Sequence, residues 1–244
     1  MDIISGRSIP YQKYSEELAA KLRKIISQES TEQLLVCLPD VFEKKERYNQ
    51  FCNHFWQGHL AHYDALYQEV VVAPWYGSTF ISRPYIDLAD KTPSAQYFAK
   101  IKTLWENKEI LIVECLTTRS GRGNDLFDNA KSIKRIICPS KNAYDKVQEI
   151  KESIRQHCAN KLVLLMLGPC AKVLVYELCQ EMAGEGENQF IDIGHIDSEY
   201  EWYKMGATHK TKLRTKHTAE FNFDTDIELI EDEEYNQQIL VNLV

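Results

Sequence analysis

Four short apolar runs, at residues 109–115, 134–138, 161–167 and 189–193, constrain this chain more than any other feature of it. Each has the length of a strand and is apolar along much of that length, as strands buried on both faces are. Between the second and third runs, Ala143, Val147, Ile150 and Ile154 fall on one helical stripe. Between the third and fourth, Ala171, Leu174, Leu178 and Met182 do the same. Such β-α-β-α-β alternation calls for parallel strands joined by right-handed crossovers. The expected fold class is therefore α/β and Rossmann-like, a mostly parallel sheet flanked by helices. In such sheets ligands bind beyond the carboxyl ends of the strands, so the segments following the four runs are where chemistry should lie.

The first run leads into Glu114-Cys-Leu-Thr-Thr-Arg119-Ser-Gly121-Arg122-Gly123-Asn124-Asp125. Its two glycines permit positive φ or close backbone approach, and its arginines supply cationic donors, a combination suited to a pyrophosphate. It matches neither Gly-x-Gly-x-x-Gly nor the P-loop pattern, which disfavours dinucleotide dehydrogenases and P-loop NTPases. The second run ends in Pro139-Ser140-Lys141-Asn142-Ala143, a helix start with Ser140 as candidate cap. The third ends in Gly168-Pro169-Cys170-Ala171-Lys172, which offers the free N–H groups of a helix N-terminus.

The fourth run delivers Asp192-Ile-Gly-His195-Ile-Asp197-Ser-Glu199-Tyr-Glu201-Trp202. If extended, this stretch projects His195, Asp197, Glu199 and Glu201 from one face. If helical after Gly194, it pairs His195 with Glu199 and Asp197 with Glu201. Taken alone, it reads equally well as a solvated acidic face. Four strand ends that bring two arginines, two lysines, helix N-termini and a histidine-carboxylate cluster to one rim favour a site. A phosphate cradle opposite a carboxylate and imidazole cluster suits transfer from a nucleotide-activated donor, because one part stabilises the departing diphosphate and the other takes a proton from the acceptor hydroxyl.

Before the alternation begins, Ser15 caps an expected helix with Leu18, Leu22, Ile25 and Ile26 on its apolar stripe, and residues 33–38 read as a short strand stopped by Pro39. Residues 41–68 carry rings at helical spacing, among them Phe42, Phe51, Phe55, Trp56, His59, Tyr63 and Tyr67. A sugar-stacking platform or a metal site at His54, His59 or His62 is conceivable there, but aromatic stripes of this period are ordinarily core, and core is the expectation. Ser82-Arg83-Pro84-Tyr85 is loop-like, since Pro84 forces Arg83 out of helical geometry, and Arg83 could clamp an anion there. A further helix is expected over 93–106.

The net charge of −7 argues against a nucleic-acid binder that neutralises phosphates over a broad surface. Much of the negative excess sits in Asp224, Asp226, Glu228, Glu231, Asp232, Glu233 and Glu234, so residues 1–222 are expected to form one domain and 223–244 an acidic C-terminal tail. The seven cysteines are scattered, lack any Cys-x-x-Cys pair and mostly lie in apolar runs, which suggests buried thiols of a reduced compartment. With no secretory leader and no run approaching the ~20 apolar residues of a membrane span, the expectation is a soluble cytoplasmic chain, membrane-peripheral at most.

At these motifs the chain resembles the bacterial GT-D-type glycosyltransferases. The resemblance is carried by Glu114 with Arg119-Ser-Gly-Arg-Gly-Asn-Asp-Leu-Phe127, by Arg135-Ile-Ile-Cys-Pro-Ser-Lys-Asn-Ala143, by Leu167-Gly-Pro169 and by the 192–202 stretch. It extends through Ser82-Arg-Pro-Tyr85 and Lys216-His-Thr-Ala-Glu220. It implies a Rossmann-like domain that uses a UDP-sugar donor with a divalent ion, Mn²⁺ or Mg²⁺, to extend glycans of surface glycoproteins or polysaccharides. It implies catalytic roles for Glu201 as base and His195 as its orienter or leaving-group partner. Substrate-binding roles fall on Ser82, Arg83, Glu114, Arg119, Gly121, Gly123, Asn124, Asp125, Lys141, Asn142, Gly168, Pro169 and Asp197. An oligomer or a glycosylation complex is the accompanying expectation. The family's Asp-x-Glu motif belongs upstream of the segment that residues 9–22 resemble and is not in this sequence. Cys115-Leu116 stands where Gly-Glu is usual, and Lys172 replaces a small polar residue. These departures keep open a non-catalytic or truncated relative that binds nucleotide or glycan.

Overall fold

The computed structural model describes residues 1–42, 45–183, 188–218 and 226–244. Helix α1 (Glu16–Ile26) forms as its sequence dictates: Ser15 Oγ accepts the Leu18 N–H at 3.1 Å, Glu16 and Glu17 occupy the first turn, and Leu18, Ala19 and Leu22 face inward. The strand expected over 33–38 contracts to β1 (Cys37–Leu38). Local side chains win there, because Thr31 Oγ1 takes the N–H groups of Gln33 and Leu34 while Ser30 Oγ takes that of Val36.

Helix α2 (Gln50–Val70) is capped by Asn49, whose Oδ1 accepts the Cys52 N–H at 2.9 Å. Strand β2 (Gly77–Ser78) then pairs in parallel with β1 as a separate two-stranded sheet. The aromatic segment is only partly core. Tyr48, Cys52 and Phe80 join Val41 and Leu88 in a small cluster beneath α2, and Tyr63 and Tyr67 are buried, but Phe51 and Phe55 stand in solvent. Helix α3 (Ser94–Lys102) is shorter than expected and gives way to turns ending at Asn107, whose φ is +56°.

The main sheet is built from β3 (Glu109–Cys115), β4 (Ser132–Cys138), β5 (Leu162–Leu165), β6 (Gln189–Asp192) and a final strand, β7 (Ile239–Asn242). Its order is β6-β5-β3-β4-β7, parallel throughout. Helices α4 (Val147–His157) and α5 (Pro169–Glu181) make the two crossovers that the apolar stripes foretold. Between β3 and β4 the chain crosses without a helix, through the arginine-glycine loop.

The period of two along β3 separates two cores. Leu111 and Val113 pack with Leu18, Leu22, Ile150, Ile154 and Leu174. Ile110 and Ile112 pack on the other face with Phe98, Trp105, Phe127 and Trp202. All seven cysteines are free, five of them buried and Cys37 and Cys179 half-buried.

The acidic segment expected as a tail is part of the fold. Asp232 caps α7 (Glu233–Gln238), accepting the Tyr235 N–H at 2.9 Å, and β7 then adds to the sheet beside β4. Tyr235 is the reason, since its ring is 1% exposed and its hydroxyl donates to buried Glu114 at 3.1 Å. Asp224 of that acidic run, and Ala219 and Glu220 of the Lys216 motif, lie outside the described residues. Among those described, no helix is long and apolar enough to cross a membrane.

Candidate functional site

The acidic stretch takes the helical alternative. After Gly194, at φ +51°, α6 (Ile196–Lys204) begins, with His195 at its N-cap position. A Cβ on Gly194 would lie 3.4 Å from Ser82 Oγ, so the expected loop and the expected turn do meet. Asp192 closes the turn by accepting the Gly194 N–H at 3.2 Å, and it also binds Lys172 at 2.9 Å.

Asp197 and Glu201, one helical turn apart, share their partners. Asp197 Oδ1 accepts the Gly121 N–H at 2.7 Å and the Asn124 amide at 3.0 Å, and the Asn124 amide also reaches Glu201 Oε1 at 2.6 Å. Lys216 Nζ lies 2.9 Å from Asp197 Oδ2 and 2.6 Å from Glu201 Oε1. Burial, which would lower the pKa of Lys216, is outweighed by these two carboxylates, and the pKa is raised. One buried ammonium thus faces two acids. Gly121 is needed for this arrangement: its φ is +77°, and a Cβ there would come within 2.6 Å of the Phe127 ring.

Glu199, on the same helix, grips a different loop. Its side chain is fully buried, and Oε2 accepts the N–H groups of Tyr85 and Ile86 at 3.0 and 2.9 Å. Its Oε1 is buried without a hydrogen bond among the described residues, and burial pushes the carboxyl pKa up to about 7. Helix α6 therefore fastens two strand-end loops through alternate acids, Asp197 holding residues 121–124 and Glu199 holding residues 85–86.

The two arginines of the loop that Asp197 holds are engaged by the C-terminal segment instead. Arg119, at φ +47°, stacks over Tyr235 at 4.7 Å and lies 3.7 Å from Asp232, and Arg122 pairs with Asp232 as well. Glu114 is fully buried and serves structure: its Oε1 pairs with Arg135 at 2.5 Å and its Oε2 accepts the Ser120 N–H at 2.8 Å. Asp125 is held between Lys102 and Lys204, both at 3.0 Å, and these contacts keep its carboxyl well below the usual range. Asn142 binds the backbone of Lys13 and Tyr11, while Lys141 is exposed and Gly123 faces open space.

A cleft of about 1790 Å³ runs along the sheet from its amino ends, at Glu109 and Lys161, to its carboxyl ends, at Leu167 and Asp192. Of the residues expected from sequence, Ser82, Arg83, Gly168, Pro169, His195 and Asp197 line it. Gly168, at φ +55°, packs so closely on Tyr11 that a Cβ would lie 2.8 Å from that ring. Glu114, Arg119, Gly121, Gly123, Asn124, Asp125, Lys141, Asn142 and Glu201 do not contribute to its wall. Lys216, Asp232 and Tyr235 were not singled out from sequence: Lys216 carries no local signal beyond its motif, and the other two look like an acidic run until the sheet brings them home.

No group of three or more His, Cys, Asp or Glu side chains able to hold a metal occurs among the described residues. Where two carboxylates do converge, Lys216 already supplies the cation. The Asp197 and Glu201 pair therefore does not fit a divalent ion while Lys216 lies between them.

The family profile "Glycosyltransferase GT-D fold" matches residues 1–221. A probable glycosyl transferase of Streptococcus gordonii is 61% identical over 243 residues, and the glycosyltransferase GlyD of Streptococcus pneumoniae serotype 4 is 53% identical over 244. The whole of this chain is matched in both, but it spans only 35% and 29% of their lengths. The solved structure of a glycosyltransferase (DUF1792) from Streptococcus sanguinis superposes with a TM-score of 0.95 at 60% identity, covering 100% of this chain and 89% of that one. A DUF1792 domain described as having a distinct glycosyltransferase fold superposes with a TM-score of 0.95 at 55% identity, covering 99% and 85%.

Proposed function

From membership of the glycosyltransferase GT-D fold family, to which this chain belongs, we propose that it transfers a hexose from a UDP-sugar to a hydroxyl of an acceptor glycan in the cytoplasm. One observation carries the reading: the loop bearing Ser82 and Arg83, the α5 N-terminus at Gly168-Pro169 and the α6 start at His195 and Asp197 meet in a single cleft. The N-terminal N–H groups of α5, a 13-residue helix, and the Arg83 guanidinium suit a diphosphate leaving group. His195 stands in the cleft wall where a proton must move. Behind the cleft wall, Lys216 and Asn124 hold Glu201 through Oε1, and in this reading Glu201 is the base that takes the acceptor proton.

The chain is incubated with a panel of UDP-sugars, with and without Mn²⁺, and UDP release is followed. Glu201→Gln should lower turnover about 10²- to 10⁴-fold, the range of a general base, and His195→Ala should lower it similarly. A protein that neither transfers nor hydrolyses any donor under both conditions, or a Glu201→Gln variant as active as the parent, refutes the reading.

A further inference from the structure

Helix α2 carries a surface that the transfer reading leaves unused. Every fourth residue from Phe51 to Tyr67 bears a ring: Phe51, Phe55, His59, Tyr63 and Tyr67. Residues at this spacing are neighbours on a helix, and the rings of Phe55, His59 and Tyr63 touch in succession. Phe55 stacks on His59 at 5.7 Å with planes 25° apart, and His59 meets Tyr63 at 4.8 Å. Trp56 sets its edge against Phe55 and His59 at 5.4 and 5.0 Å. The inner end of the row is buried at Tyr63 and Tyr67, whereas Phe51 is 71% and Phe55 55% exposed. Trp56, His59 and Tyr67 also line the cleft that holds His195 and Asp197. The row is therefore a ridge of rings that climbs from the cleft wall into solvent.

Its electrostatic character is equally unusual. In a chain that is 27% charged, residues 50–63 contain no Asp, Glu, Lys or Arg. A helix on a protein surface ordinarily turns charge outward. Here the polar positions among the rings are Gln50, Asn53, His54, Gln57 and His62. Burial holds His59 below the ordinary imidazole pKa, so the stacked ring beside Phe55 stays neutral. Exposed rings set among amides and without charge match an uncharged polyhydroxyl compound. The C–H face of a pyranose lies on the negative face of an aromatic ring, and amides both donate to and accept from hydroxyls. A polyanion or an anionic membrane surface would find no cation within residues 50–63, and the neighbouring Arg7 lies over Tyr63 at the buried end of the row, away from Phe51 and Phe55 in the sequence of rings.

We propose that the ridge from Phe51 to His59 is an acceptor subsite that binds an uncharged oligosaccharide and leads its terminal sugar into the cleft. That a terminal hydroxyl reacts there rests on the transferase reading; binding on the ridge does not.

The probes are cellotetraose, maltotetraose and chitotetraose, titrated into the chain calorimetrically and by saturation-transfer NMR. UDP affinity, donor hydrolysis, melting and sedimentation are measured in parallel. At least one probe should bind, and the double variant Phe51→Ala, Phe55→Ala should weaken it about tenfold or more, as loss of two ring contacts implies, with UDP affinity, donor hydrolysis and melting unchanged. Phe55→Trp should keep the binding. Absence of binding by all three probes overturns the proposal, as does equal binding by the double variant. So does a double variant that alters only sedimentation, which would make the ridge a protein interface. Retained oligosaccharide binding without any donor turnover refutes the transferase reading alone.

Discussion

Replacing Glu199 by glutamine should remove a specific pH dependence from the stability of the fold. The side chain is fully buried; its Oε2 accepts two backbone N–H groups and its Oε1 has no hydrogen bond among the described residues. The groups around it oppose one another, with Arg83 favouring the charged form and Asp87 disfavouring it, and desolvation dominates. The carboxyl rises from 4.5 to about 7, a separation worth roughly 3 kcal/mol at 1.36 kcal/mol per pH unit. Because the folded-state value is the higher, stability through this group is fully present below pH 4.5 and is lost as pH rises through 7. Between pH 5 and pH 8 the parent should therefore lose about 2 to 3 kcal/mol that the glutamine variant does not lose. The variant's amide oxygen can still accept both N–H groups. Thermal melts at half-unit steps across this range, parent minus variant, should diverge by about 5 to 10 °C for a chain of this size. Parallel curves would refute the claim that Glu199 folds neutral and buried. A variant that unfolds at every pH would show instead that the charge itself holds residues 85–86.

Three further perturbations follow from the geometry. Lys216→Met leaves Asp197 and Glu201 facing each other without their shared cation and should cost about 3 to 5 kcal/mol in urea unfolding, whereas Lys216→Arg should recover part of it. Asp232→Ala removes both the α7 cap and the partner of Arg119 and Arg122. It should lower stability by about 1 to 2 kcal/mol and speed amide hydrogen exchange across residues 118–124. Gly121→Ala places a Cβ against Phe127 at a positive φ and should cost about 1 to 3 kcal/mol, read by the same unfolding assay, while Gly123→Ala, in open space, should cost less.

Much of the sheet was legible because its determinants are local and repeated. Apolar runs of strand length marked β3 to β6, and stripes of period 3.6 marked α4 and α5. Ser15 announced α1 for a similar reason, as a cap acts on the next turn only. Of the candidate site, Ser82, Arg83, Gly168, Pro169, His195 and Asp197 line one cleft, while nine other expected residues lie elsewhere. What sequence could not separate was acid from acid. Within one acidic stretch Asp197 faces Lys216, Glu199 is buried against backbone, and Glu201 lies behind the cleft. Those fates follow from which loop packs on each side of α6, a matter settled by residues up to 114 positions away in the chain.

The acidic C-terminal segment and the aromatic helix show the same division from opposite sides. By sequence, residues 232–242 are a charge run ending in a short apolar run, and nothing local says that Tyr235 has a hole to fill. Glu114, Arg119 and Arg135 create that hole from β3, β4 and the loop between them, and the sheet acquires its fifth strand as a result. The row of rings on α2 is likewise written in the sequence, but whether a ring is core or surface depends on what covers it. The sequence by itself determined the alternation of strands and helices and the cap that starts α1, because periodicity and capping act over a few residues. The tertiary structure alone decided which acids and arginines face the cleft, which face each other and which rings stay in water, because burial and pairing are properties of neighbours distant in the chain.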